Sequence, residues 1–250
     1  MNIGFIGTGH IAAPMARFLA RKGHRICVSA RNADTAALLK SQIGAQIADN
    51  QTVIDGADIV FLCLRPPVAE TVLEPLKFRA NQKIVSVMAG VSRQTLEALC
   101  APCSDFVQTI PLGFLENGGC PLAAFGNDAL LSQLFAPENP VIKVATQEGL
   151  NAHFAICAFL PGVLDLMNTS AGWLEHQTGD ATAAEFFTAQ LLSGFLANMP
   201  KDSAGRLASE RDALATDGTI SLQMTAGLRD GNTHAVLSQI LQDIGERLNR

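Results

Sequence analysis

Residues 2–12 constrain this chain more than any other stretch. Asn2-Ile3-Gly4-Phe5-Ile6 is an apolar, strand-like run, Gly7-Thr8-Gly9-His10-Ile11-Ala12 follows with no spacer, and a helix-like stretch then runs to Arg21. A strand, a GxGxxA turn and a helix in immediate succession open a dinucleotide-binding βαβ unit. Gly7 permits the tight turn. Gly9 has no side chain, so a pyrophosphate can approach the backbone, and Ala12 lets helix and sheet pack closely. Thr8, His10 and Ile11 complete the cradle, where the helix N-terminus offers unpaired N–H groups to an anion. A bare glycine motif arises by chance; the strand beginning at residue 2 sets this one in its meaningful context.

The first ~145 residues continue the alternation of short apolar runs and helical pieces expected of a parallel sheet. Strands are predicted at Asn2–Ile6, Arg25–Ser29, Ala45–Ala48, Ile59–Leu64, Lys83–Val87, Asp105–Thr109, Pro121–Ala124 and Val141–Val144. Helices are predicted at Ile11–Arg21, stopping at Gly23, at Asp34–Ser41, stopping at Gly44, and at Arg93–Leu99 with Ser92 as N-cap. After about Gln147 the strand-like runs end. Helices are predicted at Leu150–Gln177, kinked at Pro161, then at Asp180–Asn198, Asp202–Leu214, Ser221–Leu228 and Thr233–Asn249. The fold class is therefore α/β, with a Rossmann-type dinucleotide-binding domain over 1–147 and an all-helical domain over 148–250. Hydrophobic residues make up 48% of the chain and charged residues 16%. A helical half this apolar is expected to bury a face against a second copy, as a homodimer.

The formal net charge is −5, and Val144 to Pro200 contains no Lys or Arg, so nucleic acid is not an expected partner. The opening apolar run is too short and glycine-punctuated for a signal peptide. The apolar segment Phe154–Met167 is interrupted by Pro161-Gly162 and carries Asp165, which argues against a membrane span. A cytoplasmic protein acting on a small molecule is the expectation. Cys27 and Cys63 fall in apolar strands, where a thiol serves as a small core residue. Cys100-Ala-Pro-Cys103 has CxxC spacing, but no second pair or histidine cluster accompanies it, so no metal site is predicted.

Cofactor choice is read at the end of the second strand, where NAD sites place a carboxylate for the ribose 2′-hydroxyl. Here the chain runs Val28-Ser29-Ala30-Arg31-Asn32, with no carboxylate before Asp34. Ser29 and Asn32 can donate hydrogen bonds, and Arg31 can pair with a 2′-phosphate. NADP(H) is favoured over NAD(H). The competing reading makes Arg31 an ordinary solvated loop residue.

From these residues onward the chain resembles the pyrroline-5-carboxylate reductase family. The opening Met1 to Gly9 is similar to that family's start, and Asp49-Asn50 ahead of Ala57-Asp58-Ile59-Val60-Phe61-Leu62 resembles the stretch whose Asn helps hold the cofactor. Leu64-Arg65-Pro66-Pro67 stands where the family usually has Val-Lys-Pro-Gln. Val85-Ser86-Val87-Met88-Ala89-Gly90-Val91-Ser92 resembles its segment beside the nicotinamide. The resemblance implies that Asn50, Leu64, Arg65, Pro66, Ala89 and Gly90 join the cofactor site. It also implies hydride transfer from NAD(P)H to a carbon–nitrogen double bond, as in the last step of proline synthesis, with a C=O bond of a related small substrate as the alternative. The departures gather where substrate is expected. The family's Arg-x-Met-Pro-Asn becomes Gln108-Thr109-Ile110-Pro111-Leu112, and its Gly-Ser-Gly-Pro-Ala turn becomes Ala158-Phe159-Leu160-Pro161-Gly162. The late Pro-Gly-Gly-Thr-Thr loop becomes Thr216-Asp217-Gly218-Thr219-Ile220. The family's proton-donating Thr falls on Ile220 without a gap, and on Thr219 with a one-residue deletion.

Reducing an imine requires hydride at carbon and protonation or stabilisation at nitrogen. Thr219 and Ser221 are the candidate hydroxyls, and Asp217 would favour a cationic iminium. The bland alternative makes Thr219 or Ser221 the N-cap of the following helix. His153 and His176 are read as packed or surface residues. Two other functions compete. A β-hydroxyacid dehydrogenase would share the opening, but that family needs a Lys early in its helical domain, and none lies between Lys143 and Lys201. A non-catalytic NADPH-binding sensor or partner protein is the third reading.

Overall fold

The structure is a computed structural model describing residues 1–249. The chain divides into two compact units, Met1–Phe154 with the last residues from Arg247, and Ala155–Glu246.

The first unit is an eight-stranded sheet in the order β3-β2-β1-β4-β5-β6-β7-β8. Its strands are β1 (Asn2–Ile6), β2 (Arg25–Ser29), β3 (Gln46–Ala48), β4 (Ile59–Leu62), β5 (Lys83–Ser86), β6 (Asp105–Thr109), β7 (Leu122–Gly126) and β8 (Val141–Val144). All eight predicted strands form, with ends shifted by at most two residues. β4 is buried along its whole length, as a strand covered on both faces must be. Its residues alternate between two cores. Ile59 and Phe61 join Ile3, Phe5 and Val28 on one face, while Val60 and Leu62 join Ile6, Ile84 and Phe106 on the other. Phe61 stacks on Phe5 at 4.7 Å and meets Phe135 edge-on at 6.3 Å.

One pairing departs from the parallel expectation: β7 runs antiparallel to β6, then pairs parallel with β8. A short 3-10 helix, Gly113–Asn117, lies in the link between β6 and β7. That connection holds no α-helix, and the chain turns back instead of crossing over.

The helices of this unit are α1 (Ala12–Arg21), α2 (Ala33–Ile43), α3 (Asn50–Gly56), α4 (Pro66–Leu73), α5 (Arg93–Leu99), α6 (Asp128–Phe135) and the start of α7 (Gln147–Cys157). Ser92 caps α5 as expected, accepting from Thr95 N–H. α1 is pinned by two guanidiniums on one carboxylate: Arg17 Nε lies 2.7 Å and Arg21 Nη1 3.2 Å from Glu116 in the 3-10 helix. That clamp fixes the helix whose N-terminus faces the carboxyl edge of the sheet.

The second unit is all helical: the end of α7, then α8 (Phe159–Thr178), α9 (Ala181–Asn198), α10 (Arg206–Leu214), α11 (Ile220–Asp230) and α12 (Thr233–Leu248), which ends in the first unit. The predicted helix Leu150–Gln177 is two helices, and the break falls at Ala158 instead of Pro161. Pro161 is the third residue of α8, where a missing N–H costs nothing, and its ring crowds the carbonyl four residues back at Cys157. The predicted start of α10 at Asp202 moves to Arg206, because Gly205 precedes it with φ +80°. Asp180 caps α9 by accepting from Ala183 N–H at 2.9 Å. By length and composition alone the run 147–178 is long and apolar enough to cross a bilayer. It breaks at Ala158 and carries Asp165 and Glu175.

Candidate functional site

The carboxyl ends of β1, β2, β4 and β5 lie side by side, and β1 is flanked by β2 and β4. Strand order changes direction there, which opens a crevice for a ligand. The turn leaving β1 is built by glycine. Gly7 has φ +96°, and a Cβ on it would lie 2.5 Å from the Cys63 carbonyl oxygen, so no other residue fits without moving backbone. Gly7 N–H donates to Ser29 Oγ at 2.9 Å, and Thr8 Oγ1 donates to the Ser29 carbonyl at 3.2 Å. Leu64 is buried beneath the turn.

The next residues are open. A Cβ on Gly9 would meet nothing within 4 Å. Ala13 N–H bonds to Gly9 O, so the helical turn begins there. The N–H groups of Gly9, His10 and Ile11 have no protein acceptor among the described residues. No side chain caps α1 and no acid occupies its first turn. Free N–H groups, the positive end of a helix dipole and an approach clear of side chains together fit a pyrophosphate.

The other predicted cofactor residues surround this turn in different ways. Arg31 is exposed and pairs with no carboxylate among the described residues. Asn32 caps α2, its oxygen accepting from Thr35 N–H at 3.3 Å, which leaves its amide N–H₂ to donate outward. Ser29 is placed differently from expectation. It is buried, and its hydroxyl accepts from Gly7 N–H, so it shapes the turn instead of facing the crevice. Asn50 is half-buried at the first position of α3, behind the N-cap Asp49. Arg65 is exposed at the N-cap of α4, with Pro66 at N1. Ala89 and Gly90 follow β5, and Gly90 takes φ +73° at the surface. These residues share one edge of one sheet.

Two further polar groups sit at the carboxyl end of β6. Gln108 and Thr109 are each 1% exposed. Gln108 Nε2 donates to Val91 O at 2.8 Å, tying β6 to the loop after Gly90. Gln108 Oε1 and Thr109 Oγ1 are the buried side-chain atoms without a partner among the described residues. An unsatisfied buried acceptor is costly and concentrates at sites that handle ligands. The sequence signal is two polar residues closing β6 right after Phe106-Val107, at a place where the chain also departs from the family pattern.

In the helical unit, Thr219 is the N-cap of α11. Its hydroxyl accepts from Leu222 N–H at 3.1 Å and donates to Thr216 O at 2.7 Å. Ser221 is half-buried in the first turn, and Ile220 between them is 85% exposed. The capping role anticipated for this loop is thus filled by Thr219. The CxxC thiols are buried, and burial, with Cys103 beside it, pushes the Cys100 thiol up to about 12, far from reactive at neutral pH.

Comparison with known proteins agrees with this architecture. Residues 2–90 match the family model described as NADP oxidoreductase, coenzyme F420-dependent. Pyrroline-5-carboxylate reductase 3 of Xenopus laevis is 30% identical over 117 residues, covering 44% of this chain and 43% of the relative. The match thus spans less than half the length of that relative. Pyrroline-5-carboxylate reductase of Treponema pallidum is 26% identical over 244 residues, covering 91% of this chain and 84% of the relative. Among solved structures, 1-pyrroline-5-carboxylate reductase from Streptococcus pyogenes superposes with a TM-score of 0.84 at 20% identity, covering 99% of this chain and 98% of that one. Plasmodium falciparum pyrroline carboxylate reductase, solved with NADP bound, gives 0.84 at 14% identity, covering 99% and 97%. The fold is that of these reductases, a Rossmann-type domain followed by a helical one, and the resemblance read from the motifs holds.

Proposed function

We propose that this chain is an NADPH-dependent reductase that delivers hydride to the C=N carbon of a small imine, acting as a homodimer. The observation that carries the reading is the anion-ready turn at Gly7–Ile11, with Arg31, unpaired among the described residues, in the turn after the neighbouring strand. The N–H groups of Gly9, His10 and Ile11 hold the pyrophosphate. Arg31 and the Asn32 amide take the 2′-phosphate, which selects NADP(H) over NAD(H). Leu64, Arg65 and Pro66 line the middle of the crevice, with Asn50, and Ala89-Gly90 gives the reacting ring a surface without bulk. The NADP in the Plasmodium relative supports the same choice. When bound, the reduced nicotinamide supplies the hydride. The protein then has to exclude water and pass a proton to nitrogen, for which Thr219 and Ser221 are the candidate hydroxyls. Thr219 can donate only by releasing Thr216 O, whereas Ser221 carries no such engagement.

Homodimer formation is supported by the helical unit itself. Among the described residues, α8 buries only Ala171 and α9 only Ala184, while α9 carries a single charge, Glu185. A helix apolar all round needs cover, and a second copy supplies it. Cys100, Cys103 and Cys120 are buried as free thiols, which suits a reducing compartment and with it a cytoplasmic place of work.

The deciding experiment measures NADPH and NADH affinity, then NADPH oxidation with 1-pyrroline-5-carboxylate, the substrate named for the relatives, and with carbonyl analogues. Failure to bind NADPH sinks the reading. Turnover excludes a non-catalytic sensor, whose claim rests on the engaged Thr219 hydroxyl. The β-hydroxyacid dehydrogenase alternative predicts a Lys early in the helical unit, which the sequence lacks. If one hydroxyl is the proton donor, Thr219→Val or Ser221→Ala should lower kcat by about 100-fold or more. Thr219→Ser, which keeps both cap and hydroxyl, should retain most activity.

A further inference from the structure

Resting on that reading, we infer that Gln108 is a positioning residue for the nicotinamide half of the cofactor: by holding the Val91 carbonyl, its side-chain amide sets the Ala89–Gly90 turn assigned to the reacting ring. All the groups involved belong to the sheet unit.

A surface that a ring can approach closely is free of bulk, and a turn free of bulk has little of its own to hold it. Ala89 carries only a methyl group. Gly90 takes φ +73°, and a Cβ added there would meet nothing within 4 Å. Neither residue makes a hydrogen bond among the described residues. The turn therefore depends on its two ends. On the β5 side, Val87 N–H donates to Leu62 O at 3.1 Å, which carries the sheet pairing one residue further. Met88 N–H reaches Ser86 Oγ only at 3.4 Å. On the α5 side the anchor is Gln108, whose Nε2 donates to Val91 O at 2.8 Å, with both residues buried.

The orientation of that amide follows from its partner. A backbone carbonyl only accepts, so the nitrogen of Gln108 faces Val91 O and the oxygen faces away. Oε1 is then the buried acceptor without a partner among the described residues. Stability alone gives no reason for such a residue. Phe106, two positions earlier on the same face of β6, packs in a core with Val60, Leu62, Met88 and Val91. A Leu or Met at position 108 would extend that core with no amide to desolvate. Costs of this kind gather where a structure has a ligand to place. What the amide secures in return is the Val91 carbonyl.

The surroundings limit what that bond controls. The Val91 side chain is itself buried in the core, so the turn stays docked without Gln108. Beyond it the seam is closed separately. Arg93 donates to Phe106 O and covers the Phe106 ring at 4.6 Å, while Arg93 N–H donates to Gln147 Oε1 at 3.1 Å. The Gln108 bond thus governs the rotation of the peptide after Val91, and with it the tilt of Gly90 and Ala89. A shift of about 1 Å at a reacting ring costs about 100-fold in rate. A contact that carries little of the fold here carries much of the ring's placement.

The test compares two ligands on the full chain at about pH 6: NADPH, and 2′-phospho-ADP-ribose, which keeps the pyrophosphate and the 2′-phosphate but lacks the nicotinamide. Gln108→Met preserves side-chain length and removes both hydrogen-bonding atoms. It should weaken NADPH about tenfold and leave 2′-phospho-ADP-ribose within about twofold of wild type. Gln108→Glu is isosteric with glutamine, and burial keeps its carboxyl protonated, so its O–H restores a donor to Val91 O. That variant should recover most of the NADPH affinity. A merely structural role would weaken both ligands together, so equal losses overturn the inference. A Met variant that binds NADPH as wild type does, one that fails to fold, or a Glu variant no better than Met overturns it as well. Failure of the wild type to bind NADPH overturns the reading beneath it instead.

Discussion

The two units treat the same kind of side chain in opposite ways. In the sheet unit Phe5, Phe61, Phe106 and Phe135 are all at or below 2% exposed, whereas in the helical unit Trp173 is 66% and Phe186 69% exposed. The sheet has helices on both faces, so each strand residue finds a cover whichever way it points. The helical unit stacks α8 on α9 and leaves their outer faces bare. Apolar content alone therefore does not make a self-sufficient unit; a second layer does. The sheet unit owns its core, and the helical unit has the surface of half a core.

The largest effect that could break this contrast is in the sheet. Phe61→Ala removes a ring that touches both Phe5 and Phe135, and truncations of this kind cost about 3–5 kcal/mol. The loss in Tm should be the same at any protein concentration. In the helical unit, Phe186→Asp with Leu191→Asp should instead convert the proposed dimer to monomer by light scattering, while NADPH affinity stays within about twofold. A wild-type protein that is monomeric at working concentration, with a Tm independent of dilution, would remove the contrast altogether.

A smaller effect tests the cradle itself. Gly7→Ala places a Cβ against the Cys63 carbonyl in a left-handed conformation, and the backbone strain alone costs about 1–3 kcal/mol. Thermal denaturation should show the loss, and NADPH titration should show a weakened site because the N–H groups after the turn move with it. Smaller still in stability, but sharper in specificity, is Arg31→Ala. Deleting a charge-assisted hydrogen bond is worth about 1.5–3 kcal/mol, so NADPH affinity should fall about 10- to 100-fold with NADH affinity unchanged. Equal losses for the two cofactors would show that Arg31 does not read the 2′-phosphate.

Legibility followed the same division. The strands could be read from sequence because each is a short apolar run with a turn on either side, and the glycine turn because its φ and its clearance admit no other residue. Strand direction could not: Leu122–Gly126 looks the same run forward or backward, and only the absence of a crossover helix after β6 reverses it. α3, α4 and α6 are absent from the predicted helices: seven or eight residues hold barely two turns, too few for a period to show, and the equally short α5 is legible only through its Ser92 cap. α4 is further disguised by Pro66-Pro67, which reads as loop although proline suits a first helical turn. At the site, Arg31 and Gly90 were visible as residue types, but the inward turn of Ser29 was not, since its partner is a backbone N–H twenty-two residues away. The two unpaired atoms at Gln108 and Thr109 likewise exist only once β6 is buried.

The smallest expected effect concerns how the cofactor edge of the sheet unit responds to acid. Asp49 caps α3 ahead of Asn50, and its carboxylate accepts from Thr52 N–H at 3.0 Å and Thr52 Oγ1 at 2.7 Å. Those hydrogen bonds from the Thr52 backbone and side chain hold its carboxyl below the ordinary range. A folded value below the unfolded one, about 3.9 for Asp, means the ionised cap favours the folded state. That contribution is complete above the unfolded value and disappears as pH falls through the folded one. Asp49→Asn keeps an acceptor for the Thr52 N–H but cannot titrate. The variant lacks the extra contribution of the ionised cap, so it should be slightly less stable than wild type at neutral pH and lose less stability in acid, with the two curves converging below pH ~4. Curves that stay parallel across that window would show that Asp49 is not held by its cap. Asn50 would then enter the cofactor site from a helix end that acid cannot loosen through this residue.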